Sequence, residues 1–169
     1  MKMLSLRITW ALGLIITLVL ISTSYWLEQH DGMLPCLLCS LQRLAFIVLA
    51  FVFLLGLCWH NTNRWRHGLT GLVASLISGA GLWLAGRQVW LQWQPPNKMA
   101  DCGISLQYLF KVLPFDKAIM KILHGSTECS RVLWTFMGLS LAEWSGLFFA
   151  VLLVLSMGQM VRAFKNNTP

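Results

Sequence analysis

Two cysteines separated by two residues stand in Pro35-Cys36-Leu37-Leu38-Cys39, and a base, Arg43, follows four positions after the second. Two more, Cys102 and Cys129, lie 27 positions apart, and the fifth, Cys58, stands alone. A disulfide that stabilises by restraining the unfolded chain joins distant positions, whereas a Cys-x-x-Cys ring restrains almost nothing. Reversible exchange is therefore a better reading of Cys36 and Cys39 than a structural staple. Cys39 is expected at or just before the start of a helix, where free backbone N–H groups carry partial positive charge. Arg43 then falls one turn on along the same face. Both favour a thiolate at Cys39, the nucleophilic form of the side chain. A guanidinium at a membrane rim is costly and usually functional, with simple snorkelling to headgroups as the plain alternative. Cys58 is expected to be a small buried hydrophobe.

Other chemistries fit poorly. His30, His60, His67 and His124 fall in loops or at span ends, so no bis-histidine haem site is expected inside a bundle. There is no Gly-rich phosphate loop, and the spacing of the cysteines is wrong for a zinc ribbon.

The elements that must position these thiols follow from the composition. Of 169 residues, 57% are hydrophobic and 11% charged, where a soluble domain carries about 25% charged residues. Four stretches, 8–27, 44–59, 69–86 and 144–161, hold no charge and approach the ~20 residues that cross a bilayer core. Admitting Arg43 and Arg87 at the rim extends the second and third, giving spans of about 8–27, 41–59, 69–91 and 144–161. The expected fold is an all-α membrane protein, one four-helix bundle over 1–169 with loops at about 28–40 and 92–143. Apolar residues at 115, 118, 119, 122 and 123, after Pro114, have helical spacing and predict a short amphipathic helix in the second loop. On span three, Gly71, Ser75 and Gly79, with Ala74 and Ser78 beside them, form a small-residue face for close helix packing.

The net charge of +7 comes from bases scattered singly between apolar blocks, not from a basic patch, which argues against nucleic acid. Lys2, Arg7, Arg64, Arg66, Arg162 and Lys165 lie in the N-terminal tail, the middle loop and the C-terminal tail, segments without an acid. Glu28, Asp31, Asp101, Asp116, Glu128 and Glu143 lie on the other side. Both termini are therefore expected in the cytoplasm. Residues 1–24 also have the outline of a signal peptide, and cleavage there would leave the sidedness unchanged. The four cysteines 36, 39, 102 and 129 face the side where disulfides persist.

Four spans, Pro-Cys-x-x-Cys before the second with an arginine four residues on, and two spaced cysteines in the second outer loop resemble the disulfide bond formation protein B (DsbB) family. Gly86-Arg87-Gln88-Val89-Trp90-Leu91-Gln92, and Trp134 followed by Gly138-Leu139-Ser140 and Trp144, are similar to that family too. With its soluble partner DsbA and quinone, that family keeps the bacterial periplasm oxidising. The resemblance implies an enzyme of the bacterial inner membrane, a protein-disulfide:quinone oxidoreductase. A reduced periplasmic DsbA-like thiol oxidase would attack a Cys102–Cys129 disulfide at Cys102. Cys36 and Cys39 would reoxidise that pair and pass electrons to ubiquinone or menaquinone held near Cys39 and Arg43. Some members place a histidine near the quinone at the outer end of span three; none occurs here between His67 and His124, where Gln88, Gln92 and Arg87 stand instead. A vitamin K epoxide reductase-like enzyme carries its Cys-x-x-Cys late in the chain, not before span two. A structural four-span protein, similar in outline to tetraspanins or claudins, gives no reason for Pro-Cys-x-x-Cys beside Arg43.

Overall fold

A computed structural model describes residues 2–31, 36–58, 64–93, 114 and 135–165. These hold four long helices, α1 (Lys2–Asp31), α2 (Leu37–Cys58), α3 (Arg64–Gln92) and α4 (Leu141–Lys165). A two-stranded hairpin, β1 (Thr135–Phe136) and β2 (Leu139–Ser140), precedes α4. Each helix contains an apolar stretch long enough to cross a bilayer: Arg7–His30, Leu38–Cys58, Trp65–Gln92 and Leu141–Ala163. The expected four-span membrane bundle is what the chain forms. The predicted amphipathic helix at 115–123 lies outside the described residues.

The bundle wears its apolar side chains outward. Ile15, Phe51, Leu76 and Val154, one from each helix, are 56%, 60%, 66% and 69% exposed, while Thr17, Gln42, Ser78, Gln88, Ser156 and Gln159 are buried. In water that arrangement would be unstable. In hydrocarbon it keeps polar groups between helices, away from lipid, and puts leucine-like surface where lipid is the solvent. Thr17 shows the local solution, its hydroxyl lying 2.8 Å from the Leu14 carbonyl and 3.0 Å from that of Gly13.

The helices are longer than the uncharged stretches because a helix does not end at the bilayer edge. α1 runs on through Glu28, and α2 begins at Leu37 instead of about 41, so the Cys-x-x-Cys motif opens the helix and does not precede it in a loop. α4 begins at Leu141 because Ser140 and Glu143 form a capping box: the Ser140 N–H donates to Glu143 Oε2 at 2.6 Å, and the Glu143 N–H donates to Ser140 Oγ at 3.3 Å.

α3 packs most extensively against α4, along a small-residue face one register away from the expected one. Gly71 approaches α4 backbone so closely that a Cβ there would lie 3.1 Å from the Met160 nitrogen, and a Cβ at Gly81 would clash with the Phe149 ring. Ala74, Ser78 and Ala85 are fully buried on the same face, whereas Gly79 has open space beside it. The face is therefore 71-74-78-81-85, with helical spacing, and the strict spacing by four through Ser75 and Gly79 is corrected. The Phe149 ring in turn stacks on Phe46 of α2, centroids 4.0 Å apart. On the other side Trp10 of α1 packs on Phe53 of α2, centroids 5.7 Å apart, and against Gly56. These layers hold the ends of α1, α2, α3 and α4 that meet around the cysteine pair.

Candidate active site

Cys36 is the N-cap of α2. Its carbonyl accepts from the Ser40 N–H at 3.0 Å, which starts the helix, and its sulfur accepts from the Cys39 N–H at 3.3 Å. The first turn thus folds the two side chains back on each other, and the thiols stand 2.8 Å apart. An S–S bond needs about 2.05 Å, so this geometry can close with little backbone movement. Cys36 is only 4% exposed, and Cys39 is partly so. The Cys39 N–H of the helix start is thus aimed at the Cys36 sulfur, whereas the motif spacing predicts the helix-start N–H groups at Cys39.

The side-chain donor on the pair comes from α3. Gln88 Nε2 lies 3.2 Å from Cys39 Sγ and 3.6 Å from Cys36 Sγ. Its Oε1 accepts from Gln42 Nε2 at 2.9 Å, and Gln42 Oε1 accepts from Ser145 Oγ at 2.7 Å. Three helices thereby converge on two sulfurs through one row of polar side chains.

Arg43 lies one turn after Cys39 as expected, but its hydrogen bonds run to α1. Nη1 donates to Glu28 at 2.6 Å, and Nε and Nη2 donate to the Ser24 hydroxyl at 3.1 and 2.9 Å. The guanidinium also lies over the Tyr25 ring, 4.4 Å from its centroid. The reason is the length of α1, which brings an acid and a hydroxyl on one helix face to the height of Arg43. Arg43 and Cys39 nevertheless share a cleft between α1, α2 and α4. Its walls are apolar, from Leu20, Ile21, Leu27, Phe46, Trp144 and Phe148, and its polar points are Thr23, Ser24, Cys39, Gln42, Arg43 and Ser145.

The hairpin meets the α4 side of this cleft through Trp144, one of its lining residues. Thr135 pairs with Ser140 and Phe136 with Leu139, and the two turn residues, Met137 and Gly138, both have positive φ, 53° and 82°. That is the turn whose twist matches a two-residue hairpin. The Trp144 indole donates to the Phe136 carbonyl at 3.1 Å, which fixes the ring at the mouth of the cleft.

Of the expected site residues, Cys36, Cys39 and Arg43 come together, and Cys102 and Cys129 lie outside the described residues. Cys58, the last residue of α2, is exposed and not the buried hydrophobe expected; it faces outward where the helix ends. Arg87 stacks on Trp90, 4.4 Å from the ring centroid, whereas Gln88 reaches the sulfurs. Spacing alone does not single out Gln42, Ser145, Ser24 and Glu28. Their signal is a polar side chain inside or beside an apolar run, which is expensive in a membrane unless it has a partner.

The DsbB model, described as disulfide bond formation protein DsbB, matches residues 6–158 of this chain. The chain belongs to the DsbB family. Among similar proteins, the disulfide bond formation protein B of Marinobacter nauticus is 36% identical over 92% of this chain and 93% of its own length. That of Acinetobacter baumannii is also 36% identical, over 95% and 94% of the two chains. DsbB membership of a chain with four spanning helices makes this a multi-pass membrane protein of disulfide bond formation, with a disulfide-forming oxidoreductase role toward a thiol partner. It also sets aside the vitamin K epoxide reductase-like and structural four-span alternatives.

Proposed function

We propose that this protein reoxidises a periplasmic DsbA-like dithiol oxidase and delivers the electrons to membrane quinone. The observation that carries this reading is Cys39, paired at 2.8 Å with Cys36, on the wall of an apolar cleft between helices that face lipid. A thiol pair serving only soluble partners has no need of a lipid-side cleft. The residues present suit a quinone: flat apolar walls from Phe46, Trp144 and Leu27 for the ring, and Arg43, Gln42 and Ser145 as hydrogen-bonding groups at its edge. When bound, ubiquinone or menaquinone supplies a two-electron, two-proton acceptor.

The chain's own residues then do the following. The partner's thiolate attacks the Cys102–Cys129 disulfide at Cys102, and the mixed disulfide resolves to an oxidised partner and a Cys102/Cys129 dithiol. That dithiol reduces the Cys36–Cys39 disulfide by exchange, an attack that requires a thiolate and an accessible sulfur. Reclosing Cys36–Cys39 releases two electrons and two protons toward the cleft. Gln88 holds the two sulfurs, and Arg43, fixed by Glu28 and Ser24, places positive charge at the cleft edge. Both termini face the cytoplasm of a bacterial inner membrane, which puts the cysteine pair on the oxidising side.

Protein in nanodiscs, given a reduced DsbA-type oxidase and a short-chain ubiquinone, is expected to form quinol and oxidise the partner in equal amounts. Cys36→Ser should abolish quinol formation, and Cys102→Ser should abolish the mixed disulfide with the partner. Absence of quinol from the native protein, with its cysteines oxidised at the start, would overturn the reading.

A further inference from the structure

The polar row behind the cysteines has a direction. An amide can present either its N–H or its carbonyl to a neighbour, and what fixes Gln88 with Nε2 toward the sulfurs is that Oε1 accepts from Gln42. Gln42 is fixed in turn because its Oε1 accepts the Ser145 hydroxyl proton. A serine hydroxyl has one proton to donate, and Ser145 Oγ lies 2.8 Å from the Ala142 carbonyl as well as 2.7 Å from Gln42. With the proton on the Ala142 side, the Ser145 oxygen can accept from Gln42. Both amides then reverse, and Gln88 presents a carbonyl to an S–H group. Gln42 and Gln88 are buried, so little water competes for these bonds.

From this geometry we infer that Ser145, Gln42 and Gln88 form a hydrogen-bond chain of selectable polarity that sets the redox poise of the Cys36–Cys39 pair. Gln88 touches the reacting sulfurs, and Gln42 and Ser145 act through it as positioning residues. In the donor polarity, the Gln88 amide N–H groups donate to the sulfurs, which accept from it. A charge-assisted bond to a thiolate is roughly twice as strong as one to a neutral acceptor, so donation favours the reduced, anionic pair over the disulfide. The chain makes the pair more oxidising than its Cys-x-x-Cys ring alone would be. In the carbonyl polarity the same chain accommodates a protonated pair, and the change is felt at Ser145 in the cleft wall. The inference rests on the quinone-linked reading and deepens it by naming what tunes its first sulfur pair.

The test is an equilibrium and needs neither quinone nor partner protein, so its failure is distinct from failure of the proposed function. Full-length protein in nanodiscs is equilibrated with mixtures of reduced and oxidised dithiothreitol. One dithiothreitol dithiol closes to its cyclic disulfide for each Cys36–Cys39 disulfide reduced. The fraction reduced is read by alkylation and mass spectrometry of the Cys36–Cys39 peptide. Gln88→Met, similar in length and without an N–H donor, is expected to move the equilibrium about tenfold toward the disulfide, about 30 mV for a two-electron couple. The difference should narrow at acid pH, where the reduced pair is protonated. Gln42→Met is expected to move it about threefold, and the double variant should match Gln88→Met alone because Gln42 works through Gln88. An unchanged equilibrium in Gln88→Met, or a double variant equal to the product of the singles, would overturn the inference. If Gln88→Met does not insert, Gln42→Met and Ser145→Ala carry the test, and no shift in either overturns it.

Discussion

Arg43 divides its guanidinium between an acid, a hydroxyl and a tyrosine ring of α1, and this decides what its replacement should do. Glu28 is partly exposed, so their pair falls between an exposed bridge worth at most ~1 kcal/mol and a buried one whose rupture costs about 3–5 kcal/mol. A double-mutant cycle of Arg43→Met and Glu28→Gln, read by thermal unfolding in detergent, is expected to give a coupling of about 1 kcal/mol. Arg43→Lys should recover little of it, because a point charge cannot bond Glu28 and Ser24 together as a fork does. On the proposed function, Glu28→Gln should also raise the KM for quinone, since it leaves the guanidinium less firmly placed at the cleft. The grouping of Cys36, Cys39 and Arg43 is legible from spacing alone. The partner of Arg43 is not, because spacing along one helix says nothing about which residues a neighbouring helix brings to the same height.

At the scale of elements, the packing of α3 on α4 rests on missing side chains. Gly81 leaves room for the Phe149 ring, whereas Gly79, half a turn away, faces open space. Overpacking a tight contact typically costs about 1–3 kcal/mol, so Gly81→Ala is expected to lower the unfolding midpoint in detergent clearly and Gly79→Ala hardly at all. Equal effects at the two positions would contradict the packing described. Ser140→Ala removes half of the capping box and should cost about 0.5–2 kcal/mol, with the loss centred on the first turn of α4 and visible there by hydrogen exchange. Charge-free runs locate all four helices because the bilayer dictates their minimum length. They misplace the ends because caps and the α1 extension lie in headgroups or water, where charge is allowed. Ser140-Leu141-Ala142-Glu143 is readable as a start signal. The Met137-Gly138 hairpin is harder to read, since a methionine at positive φ is outside the usual turn vocabulary and rests on the Trp144 contact to Phe136.

For the whole molecule, distance and sidedness decide which thiols can work together. Cys39 and Cys58 lie on one helix 19 residues apart, about 28 Å at 1.5 Å per residue. That separation spans most of a hydrocarbon core, so Cys58 can neither exchange with the pair nor share its compartment. Cys58→Ser is accordingly expected to leave turnover unchanged. The hairpin tip and the Cys36 end of α2 belong to the same end of the bundle, because α2 starts and α4 starts there. Met137→Cys, at a position 81% exposed, therefore reports the side on which the pair stands. In intact cells a membrane-impermeant maleimide is expected to label Met137→Cys at once and Cys58 only after the membrane is permeabilised. The bases in the N-terminal tail, the middle loop and the C-terminal tail predict this orientation through their retention on the cytoplasmic side. Reversed labelling would place the sulfur pair in a reducing compartment, where thiols stay reduced. A dithiol kept reduced there has no disulfide to hand on, and the proposed relay would stop before the Cys102/Cys129 dithiol is reoxidised.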